Sequence, residues 1–201
     1  MVDNCSYPED EIQNRMDFNK YKANVVRHEL GHWFVARSLG FDVGEIRIKI
    51  RHELRVPLFH TASSHINLHP SLQTLEETSD FLMKRMSVLW AGIVFQSSLD
   101  KRPVEDIRDT DAAIDYANIQ ELAFVVRGIR FPNDNVPSKE LDQRQSIYDE
   151  CWRTASAIID ANFLMLERLS TKVSELVRKP NIPYAITTLE LANVMAVGGV
   201  S

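Results

Sequence analysis

The chain has 201 residues, a length that suits one domain with a substantial hydrophobic core. Hydrophobic residues make up 44% and charged residues 25% of it, as in ordinary globular proteins, and the net charge of -5 argues against a surface built to bind nucleic acid. The two cysteines, Cys5 and Cys151, are too few for a disulfide framework, so we expect reduced thiols and a cytoplasmic protein.

The amino-terminal residues 1–16 are polar and acidic, lack the apolar region of a signal peptide, and are predicted to form a flexible arm. Residues 17–201 are expected to fold as a single domain, with a catalytic core over 17–127 and carboxy-terminal helices over 138–195 packed on it. The longest apolar run, 88–95, is much shorter than the roughly 20 residues needed to span a bilayer. We therefore expect a soluble protein without a membrane span.

The first predicted helix carries the motif H-E-x-x-H, formed by His28, Glu29 and His32. The helix is predicted to begin near Asp17 or Asn19, either of which can cap it. Residues four apart lie on the same helix face, so the two histidines can hold one zinc ion, and the glutamate can take a proton from a zinc-bound water. This pattern is typical of a zinc hydrolase, usually a peptidase.

An alternative interpretation is an amphipathic helix whose two histidines are merely hydrogen-bonded. The neighbouring residues are apolar on nearly every side of the helix, including Val25, Leu30 and Trp33. Two unpaired histidines in such a surface would be costly, which favours the metal site. Gly31 would allow another segment to approach the helix beside the ligands, and Gly40 is the residue expected just past the helix end.

A small sheet is predicted after this helix. The alternation of apolar and charged residues over 43–50 indicates a half-buried strand, and weaker strands are predicted around 54–59 and 64–68. A strand beside an H-E-x-x-H helix often pairs with an extended substrate, a role that we assign to residues 44–50 or 64–68.

The region of the sheet contains four further histidines whose spacings match no metal-ligand pattern, so we interpret them as surface or sheet-face residues rather than a second metal site. They are His52, His60, His65 and His69.

The rest of the chain is predicted to be helical. A helix over 74–99 has an acidic start and an apolar second half, so it should be central to the core. A charged loop over 100–109 leads to an amphipathic helix over 110–126, and the longest helix spans 138–178, with Asn162 as the one polar residue in its apolar stripe. These elements predict a mainly α fold with a small β-sheet.

The end of the chain is predicted to form one more short helix. Thr187 and Glu190 have the spacing of a capping box, and the helix should end near Met195.

A catalytic zinc site needs a third protein ligand. The residue six positions after His32 is Ser38, so the extended motif with a third histidine is absent. Carboxylates further along the chain are the candidates. Asp109 and Asp111 lie where the charged loop meets a helix expected to face the core, although either could be a plain helix-capping or first-turn acid.

These motifs together resemble the peptidase domain of the FtsH family of ATP-dependent zinc proteases. The zinc helix of that family reads H-E-x-G-H, as does His28-Glu-Leu-Gly-His32 here. Its third zinc ligand is the aspartate of an N-D pair that opens a later helix, and Thr110-Asp111 is similar to that pair. The resemblance therefore implies zinc as cofactor and Asp111 as the third ligand, with Asp109 as the reserve candidate.

The chain also departs from that family. It has no Walker motif and no room for an ATPase module, so the expected enzyme is an ATP-independent zinc metalloendopeptidase acting on flexible protein segments or peptides. Gln96 and Ser97 stand where the family has an acidic pair. This departure favours the alternative function, a zinc-binding regulatory or interaction protein with weak or no turnover. The resemblance also implies a homo-oligomer as one form of assembly.

Overall fold

The structure is a computed structural model, and it describes residues 8–53, 56–134 and 136–197. The helices and strands in chain order are α1 (Pro8–Ser38), β1 (Asp42–Arg51), β2 (Phe59–Asn67), α2 (Leu75–Asp100), α3 (Val104–Asp109), α4 (Ala113–Arg130), α5 (Pro137–Ala161), α6 (Phe163–Leu176), β3 (Tyr184–Ile186) and α7 (Thr188–Val197). The predicted fold class, mainly α with a small β-sheet, is confirmed. Within the described ranges, no helix combines the length and the apolar character needed to cross a membrane.

Helix α1 is longer than the sequence pattern predicted. It begins at Pro8 rather than near Asp17 or Asn19, so residues 8–16 of the predicted arm are helical, while residues 1–7 lie outside the described part. Proline suits the first turn of a helix because it has no backbone N–H to leave unpaired. The predicted end is confirmed, since Gly40 follows the helix with a φ of 86°.

The sheet has the strand order β2-β1-β3, and both neighbours of β1 are antiparallel to it. The strand predicted over 43–50 is confirmed within β1, where Ile46, Ile48 and Ile50 are buried against the helices. Over the described residues 56–68, the two strands predicted around 54–59 and 64–68 are replaced by the single strand β2, and residues 54 and 55 lie outside the described part. β2 lies at an edge of the sheet, whereas β1 is paired on both sides.

Helix α2 lies at the centre of the packing. Thr74 and Glu77 form a capping box at its start, and the residues from 86 to 96 are all buried. It crosses α1 at Gly31, where an added Cβ would lie 2.8 Å from the carbonyl carbon of Ala91. The glycine therefore allows two helix backbones to approach closely beside the two histidines of the motif.

The carboxy-terminal half differs from the prediction in two places. The charged loop contains the short helix α3, and the following helix begins at Ala113 rather than Thr110. The prediction of a single helix over 138–178 is wrong, because the helix is interrupted at Asn162, which lies between α5 and α6. The side-chain amide of Asn162 donates to the carbonyl of Ile158 at 2.8 Å, so this residue bonds to the preceding turn where the helix stops.

The last predicted helix is confirmed as α7. The backbone N–H of Glu190 donates to the hydroxyl of Thr187, and the backbone N–H of Thr187 donates to the Glu190 carboxylate at 2.8 Å, which is the predicted capping box.

Candidate metal centre and active site

Three side chains from two helices converge on one point. The Nε2 atoms of His28 and His32 lie 2.9 Å apart, and Oδ2 of Asp115 lies 2.9 Å from the first and 3.1 Å from the second. Both histidines are buried, with 8% and 7% of their surface exposed. These three residues form a group that could hold a metal ion, and we call them the ligand cluster.

Helix geometry explains how the ligand cluster forms. Helix α1 places His28 and His32 one turn apart on the face that meets α2. Helix α2 presents Gly92 there, and a Cβ at that position would lie 2.6 Å from Nε2 of His32 and 2.8 Å from Cε1 of His28. The two rings therefore occupy the space that a larger residue on α2 would fill. Asp115, in the first turn of α4, completes the cluster.

The hydrogen bonds of the cluster suit a metal ion. Nδ1 of His32 donates to the carbonyl oxygen of Val88 at 2.7 Å, which leaves the lone pair of the neutral ring on Nε2, facing the cluster. The ligand-atom separations are slightly below the roughly 3.3 Å expected for ligands at about 2.0 Å from a tetrahedral ion. Nδ1 of His28 is buried and has no hydrogen-bond partner among the described residues. Two imidazoles and one carboxylate thus fit a divalent ion.

The electrostatics of the metal-free cluster are dominated by Asp115. Burial lowers the pKa of His32, but the charge of Asp115 and its hydrogen bond to the ring outweigh burial and raise that pKa to about 9. Burial likewise raises the pKa of Asp115, while the charge of His32 and the hydrogen bonds from both histidines hold it well below its usual range. At pH 7 the metal-free protein therefore carries an imidazolium at His32 beside an ionised Asp115.

Metal binding is expected to release about one proton per ion at pH 7, because His32 must lose its proton to coordinate. Raising the pH removes this competition, so the apparent affinity should rise about tenfold per pH unit until the pH approaches the His32 pKa of about 9. Titration calorimetry in buffers with different heats of ionisation measures the released protons. An affinity that does not change between pH 6.5 and 8 would contradict the prediction.

Glu29 lies next to the cluster and is fixed by the sheet. The hydroxyl of Ser64, on the edge strand β2, lies 2.8 Å from Oε2 of Glu29 and 2.7 Å from its backbone carbonyl oxygen. Glu29 is 6% exposed. The hydrogen bond to Ser64 limits the rotamers of the glutamate and links the strand to the helix that carries the motif.

A pocket of about 410 Å³ opens beside the ligand cluster. Besides the three ligands, it is lined by Glu29 of α1, by residues 61–64 and Ile66 of β2, and by Arg85 and Leu89 of α2. A substrate in this pocket would contact the ligand cluster, the glutamate and the sheet edge together.

The structure does not bring the predicted third ligands into the cluster. Asp111 lines the same pocket, but its Oδ2 accepts hydrogen bonds from Gln96 and, at 2.7 Å, from Arg102. Asp109 is exposed and pairs with Arg108 at 2.7 Å. Asp115, four residues further along the chain, occupies the position beside the histidines that the sequence assigned to Asp111, with Asp109 in reserve.

The two residues that departed from the FtsH pattern have ordinary local partners. Gln96 is buried and donates to Asp111, although its side-chain carbonyl oxygen has no partner among the described residues. Ser97 donates to the carbonyl of Val94 in its own helix. Neither residue contacts the ligand cluster through a hydrogen bond in the described part of the chain.

One of the four further histidines lies at the site. Nδ1 of His60, on β2, is 2.8 Å from the hydroxyl of Tyr21, and the ring lines the pocket beside His28 and Glu29. Burial lowers the pKa of His60, although the charges of Glu29 and Asp111 oppose this change. Sequence reasoning missed this placement because spacing along β2 says nothing about which helix lies across from it.

Comparison with known proteins adds no family to these observations. No protein-family model matches the chain, and a search of curated proteins finds no match.

Proposed function

We propose that this protein is a zinc-dependent, ATP-independent metallopeptidase that hydrolyses peptide bonds in flexible protein segments or peptides. One observation carries the proposal: Glu29 and the ligand cluster line the same pocket beside an edge strand. His28, His32 and Asp115 are the proposed zinc ligands. Imidazole and carboxylate ligands in a three-residue set, with a position left for water or substrate, are typical of catalytic zinc.

The proposed chemistry divides between the ion and the chain. A zinc ion held by the cluster supplies Lewis-acid chemistry, polarising water and the scissile carbonyl group. Glu29 accepts the proton of the attacking water and then delivers it to the leaving amine. The Ser64 hydroxyl orients Glu29 during both transfers, because it is bonded to Oε2.

The edge strand offers the place for the peptide. Of the two stretches that the sequence suggested, residues 44–50 belong to β1, whose edges are occupied by β2 and β3. Residues 64–67 belong to β2, whose outer edge pairs with no strand in the described part of the chain. An extended peptide added along β2 would gain backbone hydrogen bonds next to Glu29. This requirement for an extended backbone favours flexible segments as substrates.

A relationship to the FtsH peptidase domain is part of this proposal. The H-E-x-G-H helix, a small sheet beside it and an aspartate in the first turn of a later helix support it. The aspartate concerned is Asp115 rather than the Asp111 that the sequence resemblance suggested.

The direct test compares the wild type with Glu29→Gln on an unfolded protein substrate, after both have been loaded with zinc. Glutamine keeps the size of the side chain but cannot accept the proton, so we expect hydrolysis to fall by about 100- to 10,000-fold. The zinc content should stay at one ion per chain, because Glu29 is not part of the ligand cluster. Glu121→Gln, the same change at an exposed position of α4, is the control and should keep full activity.

Two other results would decide against this function. Hydrolysis that persists in the purified Glu29→Gln protein would contradict the proposed role of the glutamate. Stoichiometric zinc without hydrolysis in the wild type, together with unfolding on chelation, would instead support the alternative of a zinc-binding regulatory protein.

A further inference from the structure

Arg85 is a basic residue of the pocket that the proposed chemistry leaves unused. It lies on α2, one turn before Leu89, and both residues line the pocket together with Asp115. Its side chain is half-buried. The same helix carries Val88, whose carbonyl holds His32, so Arg85 is attached to the rigid element that supports the ligand cluster.

The guanidinium group of Arg85 has no hydrogen bond or ion pair among the described residues. The carboxylates that line the pocket are engaged elsewhere. Asp111 pairs with Arg102 at 2.7 Å, Glu29 is bonded to a serine hydroxyl, and Asp115 is bonded to two histidines. Arg85 is thus a cation at the pocket whose hydrogen-bonding capacity is unused.

Such a placement has a cost that a ligand can offset. Removing a cation from water without an anionic partner is unfavourable, and fully buried arginines are almost always paired, so the half-buried, unpaired Arg85 carries part of that cost. Burial lowers the pKa of Arg85 while the charge of Asp115 opposes this change, and the guanidinium remains charged at neutral pH. An anion brought by the substrate would restore the missing interactions.

We propose that Arg85 binds a carboxylate of the peptide substrate and so selects peptides that carry a negative charge near the scissile bond. The inference rests on the proposed peptidase function. A carboxylate matches the planar fork of the guanidinium and can accept two hydrogen bonds from it. Peptides offer this group from two sources, an Asp or Glu side chain and the free carboxy terminus, and both would satisfy the same arginine.

The experiment uses flexible fluorogenic peptides that differ at one residue. Glu is scanned through the positions around the cleaved bond, with Gln as the neutral match, and each peptide is made with a free and an amidated carboxy terminus. At one position we expect kcat/KM of the zinc-loaded wild type to favour the carboxylate over its amide by about 10-fold or more. Preference for a Glu side chain or for the free terminus identifies the source.

Variants assign the preference to Arg85. In Arg85→Gln the ratio between the charged and the neutral peptide should fall to about one, and in Arg85→Glu a Lys peptide should replace the Glu peptide as the better substrate. Arg85→Lys keeps the charge and should keep part of the ratio. Lys84→Gln removes a charge from the neighbouring, exposed position, which does not line this pocket, and should leave the ratio unchanged.

Peptide affinity gives a second measurement that needs no turnover. Fluorescence anisotropy of the Glu and Gln peptides on the Glu29→Gln protein, with and without Arg85→Gln, should show the same loss of preference. If the wild type binds the charged peptide selectively through Arg85 but cleaves nothing, the peptidase function fails and the anion site stands. If the peptides are cleaved and Arg85→Gln slows the charged and neutral ones by the same factor, the anion site is overturned, and melting curves of the variants exclude misfolding as the cause.

Discussion

Replacing Asp115 with asparagine is expected to lower the affinity of the protein for zinc by about 100-fold or more and to abolish hydrolysis with it. Asparagine keeps the size of the side chain and a hydrogen-bonding oxygen, so the packing of α4 against the two histidines should persist. What it removes is the negative charge that lies 2.9 Å and 3.1 Å from the two Nε2 atoms. The measurement is competition with a zinc-binding dye, alongside a melting curve of the metal-free protein.

The matched control is Asp111→Asn, the same chemical change four residues earlier in the chain. Because Asp111 is bonded to Gln96 and Arg102, its loss should leave the zinc affinity nearly unchanged. The two aspartates line one pocket, so their comparison separates a ligand from a nearby charge. Loss of zinc in Asp111→Asn with retention in Asp115→Asn would contradict the geometry and restore the assignment made from the sequence.

The part of the site that lies within one helix was predictable. His28, Glu29 and His32 are close in sequence, and helix periodicity alone brings the two histidines together. Predicting the third residue of the cluster required the start of α4, which the sequence placed at Thr110 because a threonine can cap a helix. The structure begins that helix three residues later, at Ala113, after the turn that follows α3.

The sequence nevertheless contained a pattern that indicates Asp115. The buried residues of α4 are Ile119, Ala123 and Val126, and stepping back four positions from the first of them gives Asp115. A carboxylate on the buried stripe of an amphipathic helix needs a partner, whereas Asp109 and Asp111 lie before the helix. Giving the buried stripe more weight than the capping residue would have pointed to the aspartate that lies beside the two histidines.

The same contrast between local and distant information applies to the fold. The capping box at α7, the acidic start of α2 and the alternation in β1 are local patterns, and each was found. The three residues of β3 form a strand only because β1 presents an unpaired edge to them. Likewise, Ser64 gains its role from a contact with Glu29, 35 residues earlier in the chain, and Arg85 gains its role from the pocket that it lines. No spacing in the sequence encodes either arrangement.

The crossing of α1 and α2 brings these roles together. Gly31 faces the backbone of α2, and Gly92 faces the rings of His28 and His32, so the two helices meet glycine against glycine at the ligand cluster. Close approach there places the Val88 carbonyl within hydrogen-bond distance of the His32 ring. Stability and the proposed metal binding therefore both depend on the close contact between these two helix backbones.

Replacing Gly31 with alanine is therefore expected to destabilise the protein by about 3 kcal/mol or more, although alanine is the better helix former by about 1 kcal/mol. The added methyl group would meet the carbonyl oxygen of Ala91 and lie 3.1 Å from Cα of Gly92, and neither backbone atom can rotate away as a side chain would. Gly128→Ala is the matched control, because apart from its chain neighbours and its own helix backbone no described atom lies within 4 Å of a Cβ at that position of α4. Helix propensity should therefore dominate, and stability should rise slightly. Urea unfolding of the metal-free proteins measures both changes. If the two variants are equally stable, α1 and α2 can move apart without a loss of stability. That result would contradict the close crossing on which the site depends.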